Sequence, residues 1–261
     1  MGAVEILKRP LLSAAVALCF ASPAAYANPT GAAVVSGSAS FARTGSTLTV
    51  TNTPGAIINW QQFSIGQNEV TRFVQQNAAS AVLNRVVGAN PSVILGTLTS
   101  NGRVFLVNPS GITIGRGAMI DVAGFAASTL NLSDADFLSG RLLFQGIGTE
   151  GKLINAGTIK AADGGQVYLV APNVENQKDA VITSPKGEVV IAAGRRVELV
   201  NSREPDIRVE YIAPAGEAGR FDLESTLLHE IGHLNGLGHS ALGETELRAE
   251  GGRRATAAQS V

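Results

Sequence analysis

One phrase recurs along this chain, and its spacing limits the fold more than any other feature. It reads Asn101-Gly-Arg-Val-Phe-Leu-Val-Asn-Pro-Ser-Gly-Ile-Thr-Ile114, returns from Gly164 to Asn173, and returns again from Lys186 to Gly194. Gly165 and Gly187 are 22 residues apart, and Gly102 and Gly165 are 63 apart, close to three such periods. A repeat of about 20–50 residues marks a stacked array. Within the phrase, Val104, Leu106, Ile112 and Ile114 fall at strand-like spacing, and Asn108-Pro109-Ser110-Gly111 between them is turn chemistry. The unit is a strand, a sharp turn and a strand, with no helix-length apolar pattern. An all-β fold follows, a parallel β-helix whose inward Val, Ile and Leu stack while Gly and Asn turn the corners. A β-sandwich with accidental likeness between strands is the alternative; turn and strand phase recurring together favour the coil.

Composition suits a narrow interior. Aromatic residues make up 5% of the chain and charged residues 16%, beside 30 glycines. The formal net charge of −1 gives no electrostatic basis for binding nucleic acid or an anionic membrane. At the start, Lys8-Arg9, an apolar run from Leu11 to Ala21 and the small-x-small step Ala25-Tyr26-Ala27 read as a secretory signal over 1–27, with Asn28 the first mature residue. No segment is a transmembrane span in this reading. The only cysteine, Cys19, falls inside the apolar run, so the mature chain carries no disulfide and relies on its β stack.

Further along, the stretches 34–41 and 46–51 alternate like half-buried strands, and the first is expected to cap the open end of the coil. Trp60, the only tryptophan, reads as a core or cap residue. Asp134 and Asp136 read as a solvated loop, since they lack a calcium-binding repeat. Arg195-Arg196 reads as the exposed edge of a coil.

The text from Phe73 to Gly88, with Leu83-Asn84-Arg85-Val86 inside it, followed by 101–112, resembles the amino-terminal secretion domain of filamentous haemagglutinin-type exoproteins, the cargo of two-partner secretion. The resemblance spans about 28–218. It departs from the family at Ser110, where the pattern has asparagine, and at Gln76, where it has proline. It implies a right-handed parallel β-helix that crosses the inner membrane on its signal and the periplasm unfolded. An outer-membrane β-barrel transporter then recognises it through Asn77, Asn108, Pro109, Ser110 and Gly111 and delivers it outside the cell or to the cell surface. In the family this domain begins a longer adhesin or toxin that meets a host surface; here the chain stops soon after it, which makes a fragment or a gene fusion a reading to hold beside the others.

From Gly219 the text changes. Asp222 is a good N-cap, Leu227, Ile231 and Leu234 form one stripe, and Asn235-Gly236 supply a stop, so 219–261 is expected to hold a short helix and a tail. His229 and His233 stand at i and i+4, which puts two imidazoles on one face within reach of one zinc ion. Glu230 beside them is the candidate general base, and His239 after the Gly236 turn is the third ligand. All of the chain's 3 histidines lie in this motif. It is similar to the zinc signature of the metzincin peptidases, the matrixin branch in particular. That resemblance implies a zinc metalloendopeptidase acting on a peptide substrate. The family's methionine turn is missing, since Met1 and Met119 both precede the motif, and no substrate-aligning sheet is evident. Two readings result: an exported secretion-domain protein, and a zinc metallopeptidase carried on that domain.

Overall fold

Alternation of side chains decides where this backbone runs. In Thr47–Asn52, Leu48 and Val50 are buried while the threonines between them are not, the mark of a strand with one wet face. The computed structural model describes residues 28–200 and 206–210. Among these, such strands gather into three long stacks. The broad sheet orders Ala33–Ser36, Ala56–Trp60, Ala81–Val86, Arg103–Val107, Gly124–Ser128, Gln166–Ala171 and Glu188–Ala193. The narrow sheet holds Ser92–Ile94, Ile112–Ile114, Leu153–Asn155 and Val174–Asn176. The threonine sheet holds Ala39–Thr44, Thr47–Asn52, Val70–Val74, Thr97–Ser100, Met119–Val122, Thr158–Ala161 and Val181–Thr183.

The chain visits broad, narrow and threonine sheets in turn and returns one strand further along, so each circuit is a rung. Apart from the first strand of the broad sheet and the first of the threonine sheet, neighbours within these three sheets pair parallel. This is a parallel β-solenoid. Register stacks like on like: Ala56, Val82, Val104, Phe125, Val167 and Val189 form one inward row. Ile58, Asn84, Leu106, Ala127, Leu169 and Ile191 form the next.

The repeated glycines have a packing cause. A Cβ on Gly187 would run into the carbonyl oxygen of Gly165, and one on Gly165 into that of Ala123. Glycine is required there because one rung's backbone lies against the next.

The expected cap is present, but as two strands. The chain breaks at Gly37, so Ala33–Ser36 pairs antiparallel with Ala56–Trp60 and Ala39–Thr44 pairs antiparallel with Thr47–Asn52. Beneath them Trp60 is buried, with Phe41 and Phe63 edge-on at 5.5 and 5.7 Å. Such edge-to-face pairs are worth about 0.5–1.5 kcal/mol beyond area burial.

Between Ser128 and Leu153 the rung is interrupted. Asn131–Leu132, a helix at Asp134–Ser139 and Leu142–Gln145 leave the solenoid, and Leu142–Gln145 pairs antiparallel with Arg196–Val200, itself paired with Asp206–Glu210. The 63-residue interval is therefore two rungs and an insertion, not three rungs. The Asp134 and Asp136 loop of the sequence reading is a capped helix: the Ser133 hydroxyl accepts from Asp136 N, and Gly140 closes the other end at φ 75°.

This insertion is a lid. The outward row of the broad sheet is Ile57, Leu83, Phe105, Ala126, Tyr168 and Val190, in continuous register. Leu130, Leu132, Phe137, Phe144 and Val197 bury it as a second core. Phe137 sets its ring against Phe105 at 5.3 Å. Complete burial of each large apolar side chain contributes about 1.5–3 kcal/mol before the ordering of the chain is counted.

Candidate functional site

The residues singled out in the sequence occupy the two ends of the broad-sheet strands. Asn77 stands at the corner between Val70–Val74 and Ala81–Val86. Its Oδ1 accepts from the backbone N–H groups of Ala79 and Ser80 at 3.0 Å each, and its side chain is exposed. Gln76 before it is also exposed. Asn108 stands at the other end, between Arg103–Val107 and Ile112–Ile114, and is fully buried. The structure does not bring these two corners together.

Asn108 ties three rungs. Its amide N–H donates to Ser128 O at 3.0 Å, in the rung that follows. Its Nδ2 donates to Ser92 Oγ at 2.9 Å and Asn90 O at 3.1 Å, in the rung before. Its Oδ1 accepts from Ser110 N at 3.0 Å, which closes an Asx turn over Pro109. Pro109 O then accepts from Gly151 N at 2.8 Å, and Gly111 O from Ser92 N at 2.9 Å. Gly111 has φ 121°, a conformation that excludes side chains, so this corner accepts glycine alone. The Ser110 hydroxyl makes no hydrogen bond among the described residues, so serine in place of asparagine leaves the corner's bonding intact.

The Leu83-Asn84-Arg85-Val86 stretch explains itself residue by residue. Leu83 faces the lid and Val86 faces the solenoid core. Asn84 occupies an inward position among apolar neighbours, where its Oδ1 accepts from Trp60 Nε1 at 2.9 Å and its Nδ2 donates to Phe105 O at 3.2 Å. Arg85 reaches the lid, with Nη2 at 2.7 Å from Leu132 O and 2.7 Å from Asp134 Oδ1. These partnerships were not read from the sequence. The available signal was an asparagine in the phase of an otherwise apolar row.

Electrostatics under the lid point the same way. Burial, reinforced by Glu188 at 2.9 Å from its hydroxyl, pushes the Tyr168 phenol well above the usual tyrosine range. On the exposed side Glu198, bonded to Arg141 at 2.8 Å, raises that guanidinium further. Arg195-Arg196, expected at an exposed edge, is half-buried where the lid strand leaves the last rung.

His229, Glu230, His233 and His239 lie outside the described residues, as does the leader reading over 1–27. Among the described residues no group of 3 or more His, Cys, Asp or Glu is placed to hold a metal, and no helix is long and apolar enough to cross a membrane.

Comparison with known proteins places this geometry. The chain is 38% identical over 175 residues to a heme/hemopexin-binding protein of Haemophilus influenzae, a match covering 64% of this chain and 19% of that protein. A second Haemophilus influenzae protein of the same description is 48% identical over 77 residues, 30% of this chain and 8% of its own length. The chain thus spans about a fifth or less of these relatives. The crystal structure of the HMW1 secretion domain from Haemophilus influenzae superposes with a TM-score of 0.67 at 37% identity, covering 72% of this chain and 50% of that one. The solenoid is of the right-handed type, as the sequence resemblance implied. The model of the TPS secretion domain matches residues 25–235, so this chain belongs to the TPS secretion domain family.

Proposed function

We propose that this chain is the secretion module of a two-partner exoprotein, exported through the periplasm of a Gram-negative-type envelope and handed to an outer-membrane transporter. The observation that carries this reading is the family match over 25–235, supported by a solenoid with a capped first rung. The product is delivered outside the cell or onto its surface, where an adhesin-like role at a host surface is the downstream reading. Heme/hemopexin binding is a description of proteins many times longer than the shared segment, and only the delivery step is carried over.

Asn77, Asn108, Pro109, Ser110 and Gly111 are the proposed recognition residues. Asn108 is fully buried once folded, which supports reading by the transporter before the rungs stack. The test pairs two measurements on Asn108→Ala and Asn77→Ala: secretion with the cognate transporter, and urea stability of the purified chain. Recognition requires that secretion fall more than stability does for at least one of them. Export unchanged when the transporter is deleted overturns the whole reading.

A second reading rests on the sequence motif at 229–239. We propose that His229, His233 and His239 bind zinc and that Glu230 serves as general base for peptide hydrolysis. Three neutral imidazoles are a donor set that fits zinc, and a carboxylate next to them suits proton transfer. The zinc would supply Lewis acidity; His229, His233 and His239 would hold it, and Glu230 would take up a proton. Metal content of the purified chain tests the ligands, with about one zinc expected and loss in His233→Ala. Glu230→Ala should keep the metal and lose cleavage; equal cleavage by parent and Glu230→Ala ends the peptidase reading.

A further inference from the structure

The broad sheet is covered by the lid, whereas nothing among the described residues packs over the outer face of the threonine sheet. Register fixes what that face displays. One outward column runs Thr47, Val70, Thr97, Met119, Thr158 and Val181. The column beside it runs Thr49, Arg72, Thr99, Asp121, Lys160 and Thr183. Met119 and Val181, in the first column, are 42% and 49% exposed. The side chains of Arg72 and Asp121 make no hydrogen bond or ion pair among the described residues.

These columns are self-complementary. A twofold axis lying along the strand direction at the level of Thr97 and Thr99 keeps each column facing itself and reverses the order of rungs. Val70 then meets Met119 of a second copy, and Arg72 meets the second copy's Asp121. The same holds in return, because the surface is isologous. Thr97 and Thr99 face their own counterparts on the axis. The geometry points to a second copy of this chain as the occupant of the threonine sheet, held by two reciprocal Arg72–Asp121 pairs around an apolar and threonine seam. Six strands spaced about 4.8 Å apart and about 13 Å long make a face well below the roughly 800 Å² per partner of a standard interface. The pair is therefore a weak one, formed at high local concentration, and sensitive to salt.

Sedimentation of the full chain across a concentration series decides the matter. Arg72→Asp or Asp121→Arg alone sets like charges opposite one another and should weaken self-association about tenfold. The double exchange restores the pairing with the signs swapped and should return it to within a few-fold of the parent. Crosslinking gives an independent readout, with Cys19→Ser removing the chain's own thiol. In that background Thr97→Cys, next to its counterpart on the axis, should form an intermolecular disulfide on oxidation. Thr183→Cys, at the far end of its column, should not. A parent that stays monomeric at every concentration overturns the proposal and leaves the face to another macromolecule. So does a dimer indifferent to both single charge reversals, or equal crosslinking of the two cysteine variants.

Discussion

Trp60 and Asn84 lie one rung apart, and the indole Nε1 of the first donates to Oδ1 of the second at 2.9 Å inside an otherwise apolar row. A tryptophan buried this deeply needs a partner for its N–H. Asn84 provides one and spends its own amide on Phe105 O. Replacing Asn84 with alanine leaves the buried indole N–H without its acceptor, at a cost of about 1–3 kcal/mol. Urea unfolding followed by the fluorescence of Trp60, the only tryptophan, should show the lowered midpoint.

Arg85 and Asp134 hold the lid rather than the solenoid. Asp134 is 42% exposed at its side chain, so the ion pair itself is worth under about 1 kcal/mol. Arg85→Ala also loses the bond to Leu132 O. Amide exchange should accelerate across 131–145 in that variant and stay unchanged in the strands Ala81–Val86 and Arg103–Val107. Uniform acceleration through every rung would contradict this division of labour.

Gly165→Ala should be more harmful than its size suggests. The added methyl meets the backbone oxygen of Ala123, which cannot swing aside as a side chain can. Overpacking of this kind costs about 1–3 kcal/mol. Gly117, with open space around it but φ 80°, offers the comparison: alanine there carries backbone strain alone. Calorimetric melting of the two variants should place Gly165→Ala lower.

Alkali should unfold the protein partly through Tyr168. The unfolded phenol ionises near about pH 10, while the folded one, buried beside Glu188, keeps its proton above that. Above pH about 10 the folded state therefore binds more protons than the unfolded state, and stability falls as pH rises. Below it Tyr168 adds no slope. Tyr168→Phe should flatten the decline in urea midpoint between pH 9 and about 11.

The solenoid was legible because inward residues repeat in step with the rung: Val104, Val167 and Val189 share one row. The second core was not read, although its trace was there. Val104 to Val107 and Val167 to Ala171 are unbroken apolar runs, which signal strands buried on both faces. The interval of 63 residues misled because an insertion of nearly one rung's length preserves apparent periodicity. Asn108 was legible as a turn residue, but its reach across three rungs depends on register, which a single sequence does not state. The motif at 229–239 was legible from spacing alone and lies beyond the described residues.

The lid also sets an order of events. Its strand Leu142–Gln145 waits for Arg196–Val200, and between the two the chain must complete the rungs that carry Tyr168 and Val190. Until that strand arrives, Leu142–Gln145 has one antiparallel neighbour, Asn131–Leu132, in place of two. A molecule arrested at that stage would present a bare strand edge, the kind of surface that recruits further strands.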